Sequence, residues 1–263
     1  MRTFELSTHV KVISRSKGHS ATAAAAYRAG VRITCEKHGR VHDYSRREGV
    51  VMASVVLPQG NPSVTRSWLW NDAESKDKRK NSRTAREFMF SLPAEMSPEG
   101  RQEVVERFSR HLASRHGVAV DYAIHAPPRD GDPRNHHAHL LMTTRRMQNG
   151  ELKEKTRELD DLATGAVIVK EWRSLVANLL NSQLEHEQSS RQSVHVEHRS
   201  FADRKIQREP TKHRGKANRR AIIKLKVLFA KAAEITKCAL IQTRFVCGFP
   251  LTSLQKLRWK NGY

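Results

Sequence analysis

Asn135-His136-His137-Ala138-His139-Leu140-Leu141-Met142 is the stretch of this sequence best suited to chemistry. In an extended strand the side chains alternate faces, so His137, His139 and Leu141 point one way. His136, Ala138, Leu140 and Met142 point the other way, a mostly apolar set suited to a core. Two imidazoles two residues apart on one face can grip a metal ion from a rigid platform. Upstream, Val120–His125 reads as a second strand, with Val120, Tyr122 and Ile124 on one face and Asp121, Ala123 and His125 on the other. The connection Ala126–Arg134 contains Pro127, Pro128, Gly131 and Pro133, all turn-forming residues. If it joins neighbouring strands, His125, His137 and His139 converge on one side of a sheet. A His-x-His pair is equally at home on a solvated surface, so spacing alone leaves both readings open.

Two further side chains could work beside such a cluster. Ser20 is a fair N-cap for a helix over Ala21–Gly30, which Gly30 would close. That helix is nearly all alanine, which favours helix and lets the backbone approach a neighbour closely. From it rises one phenol, Tyr27, sharing a face with Ala23, Ala24 and Gly30. It reads either as a packed core aromatic or as a reactive group. Arg86–Leu92 reads as a strand in which Glu87, Met89 and Ser91 face away from Phe88, Phe90 and Leu92. Glu87 therefore sits off the apolar stripe, facing either a site or solvent.

The elements that must position these groups follow from the pattern. Thr3–Ser14 reads as a first strand, followed by a basic turn, Arg15–Ser20. Val31–Cys35 and Val50–Leu57 read as strands around a polar hairpin region containing His38, His42, Asp43 and Tyr44. Ser63–Lys80 and the segment from Ser97 to Gly117 read as helices, the second with Pro98 at its first turn. Asp160–Gln188 is a long helix with Leu162, Ala166, Val169, Trp172, Val176 and Leu180 mostly at helical spacing. A short extended piece, Ser193–His198, precedes a basic arm, His198–Lys226, and a Lys-punctuated helix over about Ala217–Leu240. The pattern predicts a chain of mixed strands and helices with a helical, basic C-terminal extension. Three regions are expected: 1–150 as the strand-rich core, 151–220 as a helical and basic part of the same module, and 221–263 as a tail of unassigned role.

Charge narrows the partners. The 263 residues hold 48 Lys and Arg against 27 Asp and Glu, a formal charge of +21. That excess is the footprint of a nucleic-acid binder. An anionic membrane surface would call for one dominant basic amphipathic helix, and none is present. The arm His198–Lys226 alone carries 11 Lys and Arg against two Asp and Glu. Candidate phosphate contacts are Arg15 and Lys17 in the basic turn, Arg28 beside Tyr27, and Arg199, Arg204, Lys205, Arg208, Lys212 and Arg214 in the arm. Cys35, Cys238 and Cys247 form no disulfide framework, and neither a signal peptide nor a long apolar run is present, so a reducing, cytoplasmic setting is expected.

The segments Val12–Gly18, Ala23–Gly30, His42-Asp43-Tyr44, Lys80-Asn81-Ser82 with Ala85-Arg86-Glu87, Asn135–His139, and His198-Arg199-Ser200 with Arg208–Thr211 carry a resemblance. Together, and in this order, they resemble the MobA/MobL family of plasmid relaxases. Nothing familiar follows residue 220. The resemblance implies the HUH-type fold of strand-nicking enzymes, α+β with a central antiparallel sheet and packed helices, 151–220 clasping DNA, a metal held by His125, His137 and His139, and a nucleophilic tyrosine matched by Tyr27. It implies transesterification at a plasmid transfer origin, with Glu87 accepting the tyrosine proton or orienting a ligand histidine. Three nitrogen ligands alone would favour Zn²⁺, whereas the family points to Mg²⁺ or Mn²⁺. Expected partners are single-stranded transfer-origin DNA, relaxosome accessory proteins and a type IV secretion coupling protein. The rival classes are a non-enzymatic DNA-binding relaxosome or regulatory protein, a rolling-circle replication initiator of the same fold, and a metal-dependent nuclease that activates water and leaves no protein–DNA adduct. Tyr27 lies ahead of the histidines, which argues against the initiator.

Overall fold

The computed structural model describes residues 2–187 and 194–208. One compact unit spans Met1–Arg199 and a second spans Ser200–Tyr263. In chain order the first unit contains β1 (Arg2–Glu5), β2 (Thr8–Ser14), α1 (Ala21–Ala29), β3 (Arg32–Cys35), β4 (Arg40–Asp43), β5 (Val50–Val56), α2 (Arg66–Lys76) and β6 (Arg83–Leu92). It continues with α3 (Pro98–His116), β7 (Val118–His125), β8 (His136–Gln148), β9 (Glu151–Lys155), α4 (Leu162–Glu187) and β10 (Val194–Glu197).

An antiparallel sheet in the order β2-β6-β8-β7-β5 organises the unit, with β9 pairing onto the far end of β8. The α+β class follows from helices covering both faces of this sheet. On one face Phe88 and Phe90 of β6 meet Phe108 of α3, and Phe88 also meets Trp172 of α4, with centroids 5.6–5.8 Å apart. Tyr122, Ile124, Leu140 and Met142 fill the same core. Each such side chain fully removed from water contributes roughly 1.5–3 kcal/mol, so this face anchors the sheet. The opposite face carries Ile13, Ala85, Ala119 and Leu141, and the small buried alanines of α1 pack there with Leu69 and Trp70 of α2. Asp121, buried on that second face, accepts hydrogen bonds from Trp70 Nε1 (2.8 Å) and Arg66 Nε (2.9 Å), fixing α2 to β7.

The first strand departs from the sequence reading. The strand expected over Thr3–Ser14 is broken, because the chain changes partners at Leu6-Ser7. β1 pairs in parallel with β10, while β2 joins β6 in the main sheet. Leu6 turns into the core as its N–H reaches the Glu197 carbonyl (2.9 Å). The polar hairpin region after Cys35 forms as expected, its second arm being β4, which pairs with β3 in register from Arg32↔Asp43 to Cys35↔Arg40. Residue 150, expected to end the sheet core, lies in the tight β8–β9 turn, where Asn149 and Gly150 both have positive φ. The compact unit continues past it to Arg199. The helix expected over Ala217–Leu240 lies outside the described residues. Among the described residues no helix is long and apolar enough to cross a membrane.

Candidate metal centre and tyrosine site

The register of β7 and β8 assembles the histidines. His125 stands opposite His137 and Ala123 opposite His139, so all three imidazoles rise from one face. Their ring centroids are 4.6–5.3 Å apart, and one nitrogen from each lies within 4.8 Å of the others. His136 points to the other face, where its Nδ1 lies 3.1 Å from Arg101 Nη1.

The second nitrogen of each ring has a partner that decides what the first can do. His125 Nε2–H donates to the Arg28 carbonyl (2.7 Å), and its buried Nδ1 has no protein partner. His137 Nδ1–H donates to the Asn135 carbonyl (3.0 Å) and His139 Nδ1–H to Glu87 (2.6 Å). These tautomers leave one lone pair free on each ring, and a set of imidazole nitrogens this close is one a metal ion can bridge. Burial pushes the His125 imidazole down to about 4, against the Arg28 carbonyl and with help from the charges of His139 and Arg47. Burial lowers His137 as well. Both rings are therefore neutral at pH 7, as ligation needs. The residues present fit a divalent ion.

Glu87 comes from β6, where it faces Lys11 on one side and Leu141 on the other. Burial alone would raise its carboxyl, yet hydrogen bonds from His139 and Arg28, with the Arg28 charge, hold it at about 2. Both oxygens are taken, one shared by His139 and Arg28 and the other by Arg28. A carboxylate so acidic and so occupied orients an imidazole well and accepts a phenolic proton poorly.

α1 brings Tyr27 to the same edge. Ser20 Oγ caps its first turn by accepting from Ala23 N–H, and the Glu74 carboxylate accepts from Ala21 N–H (2.6 Å) at the positive end of the helix. Gly30 ends it with φ 65°, and a Cβ there would stand 3.1 Å from Val50 Cγ2. Tyr27, one residue before the Arg28 carbonyl that meets His125, is 46% exposed. Its ring is met edge-on by Tyr44 (5.2 Å, 87°) and covered by the Arg47 guanidinium, 3.7 Å from the centroid. Tyr27 is thus no core aromatic; the buried face of its helix is made by Ala21, Thr22, Ala24, Ala25, Ala26 and Ala29.

The expected phosphate contacts separate. Arg28 pairs with Glu87 and also donates to the Ala24 carbonyl, with its side chain only 12% exposed. Arg15 pairs with Glu74 (2.7 Å) and donates to the Asp77 carbonyl, tying the end of β2 to α2. Both guanidinia are thus committed to carboxylates in this structure. Lys17 is exposed at the end of a short 3-10 turn, Arg15–Lys17. Arg199 projects with its guanidinium on Glu197. In the second unit Arg204 and Arg208 lie near the Phe201 ring, at 5.0 and 5.8 Å, and Lys205 takes φ 56° in the same turn. Lys212 and Arg214 lie outside the described residues. Sequence reasoning missed Arg47, which sits in a polar connection with no periodic signal.

An antiparallel sheet offering His-x-His from one strand and a third histidine from its neighbour defines an HUH-type α+β protein. The MobA/MobL family profile matches residues 19–224, and the chain belongs to that family. It is 39% identical over 233 residues to mobilization protein MobL of Acidithiobacillus ferridurans, covering 79% of this chain and 61% of that protein. It is 31% identical over 246 residues to a probable mobilization protein MobA of Bifidobacterium longum, covering 80% of this chain and 43% of that one. The chain thus spans less than two thirds of either relative. A solved structure described as the molecular basis of vancomycin resistance transfer in Staphylococcus aureus superposes with a TM-score of 0.65 at 29% identity, over 75% of this chain and 100% of the other.

Proposed function

We propose that this chain is a relaxase that nicks one DNA strand at a plasmid transfer origin to begin conjugative mobilisation. The observation that carries the reading is the join between nucleophile helix and histidine cluster. The Arg28 carbonyl accepts from His125, and the Arg28 guanidinium grips the carboxylate that orients His139. A single helical turn thus ties Tyr27 to two of the three imidazoles.

A divalent ion held by His125, His137 and His139, Mg²⁺ or Mn²⁺ on the family's pattern, supplies Lewis acidity toward a non-bridging phosphate oxygen. The remaining work belongs to the chain. Tyr27 Oη attacks phosphorus as its proton passes to solvent at its exposed side. The bond from phosphorus to the 3′-oxygen breaks, and that oxygen leaves as a 3′-hydroxyl after taking up a proton. The 5′-phosphate stays on Tyr27 as a phosphodiester, so a free 3′-hydroxyl can reverse the step and reseal the strand. Glu87 holds the His139 ring in its tautomer. Lys17, Arg199 and the arm residues Arg204, Lys205, Arg208, Lys212 and Arg214 supply phosphate contacts along the strand. Relaxosome accessory proteins and a secretion coupling protein are the further partners that mobilisation requires, and the cytoplasm is where they would meet.

Incubating the protein with end-labelled single-stranded oligonucleotides from a panel of plasmid transfer origins tests this. A covalent adduct should form with one of them, and peptide mapping should place the 5′-phosphate on Tyr27. Tyr27→Phe should abolish it. An adduct on Tyr44, or no adduct alongside hydrolytic cleavage, would overturn the reading. Tyr122 is sealed in the α3–α4 core and cannot serve.

A further inference from the structure

We propose that Arg47 is a positioning residue for Tyr27, a clamp that holds the phenol ring in its attacking orientation. This rests on the reading of Tyr27 as nucleophile. The need for a clamp follows from where Tyr27 sits. It lies two residues from the end of a nine-residue helix, nearly half exposed, on a surface of alanines too small to fix a ring. In-line displacement needs the attacking oxygen within about 3–3.5 Å of phosphorus with the orbitals aligned, and a misplacement near 1 Å can cost on the order of 100-fold. Alanine neighbours allow close approach but leave the ring free to swing.

The connection between β4 and β5 supplies what α1 lacks. Arg47 N–H donates to the Tyr44 carbonyl (2.9 Å), closing a turn over Tyr44–Arg47. The turn is tied to the end of α1, since Tyr44 N–H donates to the Val31 carbonyl (3.2 Å) and Val31 N–H to the Ala26 carbonyl (3.1 Å). From that platform Arg47 makes two contacts with one residue. Its guanidinium lies 3.7 Å over the Tyr27 ring, and its Nη1–H donates to the Tyr27 carbonyl. Tyr44 closes the edge of the ring. Gripped at backbone and ring together, Tyr27 keeps one orientation. A planar guanidinium can stack and donate at once, whereas a lysine ammonium cannot do both. A cation over the ring face also favours the phenol as negative charge grows on its oxygen. Burial lowers the basicity of Arg47 itself, against the pull of the Tyr27 and Tyr44 phenols.

The test follows single-turnover nicking of a single-stranded oligonucleotide spanning the mapped nick, with ring-¹³C-labelled tyrosine observed in parallel. The chain has four tyrosines, so the Tyr27 resonance is assigned by its loss in Tyr27→Phe. Arg47→Ala should slow nicking roughly 10- to 100-fold at saturating DNA, with DNA affinity nearly unchanged. It should also move the Tyr27 resonance to that of a freely rotating ring while Tyr122 stays put. Arg47→Lys should recover only part of the rate. A wild-type rate in Arg47→Ala, or a loss of rate matched by an equal loss of affinity, overturns the clamp. If Tyr27→Phe still forms the covalent adduct, the nucleophile assignment fails instead, and the resonance shift still reports whether Arg47 holds the ring.

Discussion

Arg28 joins the two halves of the site by gripping Glu87 with its side chain while its carbonyl takes the His125 proton. Helix α1 is thereby locked to β6 and β7 at the residue next to Tyr27, and the arrangement makes Glu87 the pivot.

Glu87→Ala should therefore damage two things together. It strands the Arg28 guanidinium, 12% exposed, and breaking such a buried pair costs about 3–5 kcal/mol. It also frees the His139 ring, and losing such an orienting partner weakens metal affinity roughly 10–100-fold. Glu87→Gln keeps an acceptor for His139 and should lose less of both. Urea denaturation and Mn²⁺ titration by calorimetry would measure the pair, and unchanged Mn²⁺ affinity in Glu87→Ala would remove Glu87 from its orienting role.

His137→Ala and His139→Ala should abolish nicking while single-strand binding falls far less, since phosphate contacts elsewhere are untouched. A chelator should do the same to the intact protein, and added Mn²⁺ should restore it. Full cleavage in either variant would take that histidine out of the ligand set.

Much of this geometry was legible because the period of a strand is two. The alternation in His136–Met142 puts His137 and His139 on one face, and the β7–β8 pairing meets the condition on which His125 joins them. Ser20 and Gly30 likewise bounded α1 almost to the residue. The partners of arginines were illegible for an equally physical reason. Arg15 finds Glu74 and Arg28 finds Glu87, each 59 residues away, and nothing local distinguishes such a guanidinium from one waiting for a phosphate. Leu6 breaks the first strand because β10, near the end of the unit, competes for its neighbours, a contact no window along the sequence contains.

His116 makes stability depend on pH apart from the site. Burial, then the Arg115 charge, pushes its imidazole down to about 4, and its Nε2 accepts from Trp172 Nε1–H (3.3 Å). The unfolded chain takes up this proton near the ordinary 6.5 and the folded one only near 4, so stability is full above 6.5 and declines as pH falls through that window. A shift of this size is worth about 3 kcal/mol. His116→Gln, which can keep the Trp172 bond, should flatten that part of the decline in urea melts between pH 7 and 4.5. An identical pH dependence in the variant would mean the proton is taken elsewhere.

Binding through the basic arm should be governed by salt. Each phosphate neutralised by Lys or Arg releases condensed counterions, and for a single strand log affinity falls with log salt by roughly 0.7 per contact. Changing Arg204, Lys205, Arg208, Lys212 and Arg214 to glutamine removes five positive charges from the segment. If all five touch phosphate, the slope should flatten by roughly 3.5, and the loss should be the same for an origin strand and a scrambled one. Fluorescence anisotropy across a salt series reads both quantities. An unchanged slope would make the arm a solvated tail, and a loss confined to the origin strand would make it a reader of bases.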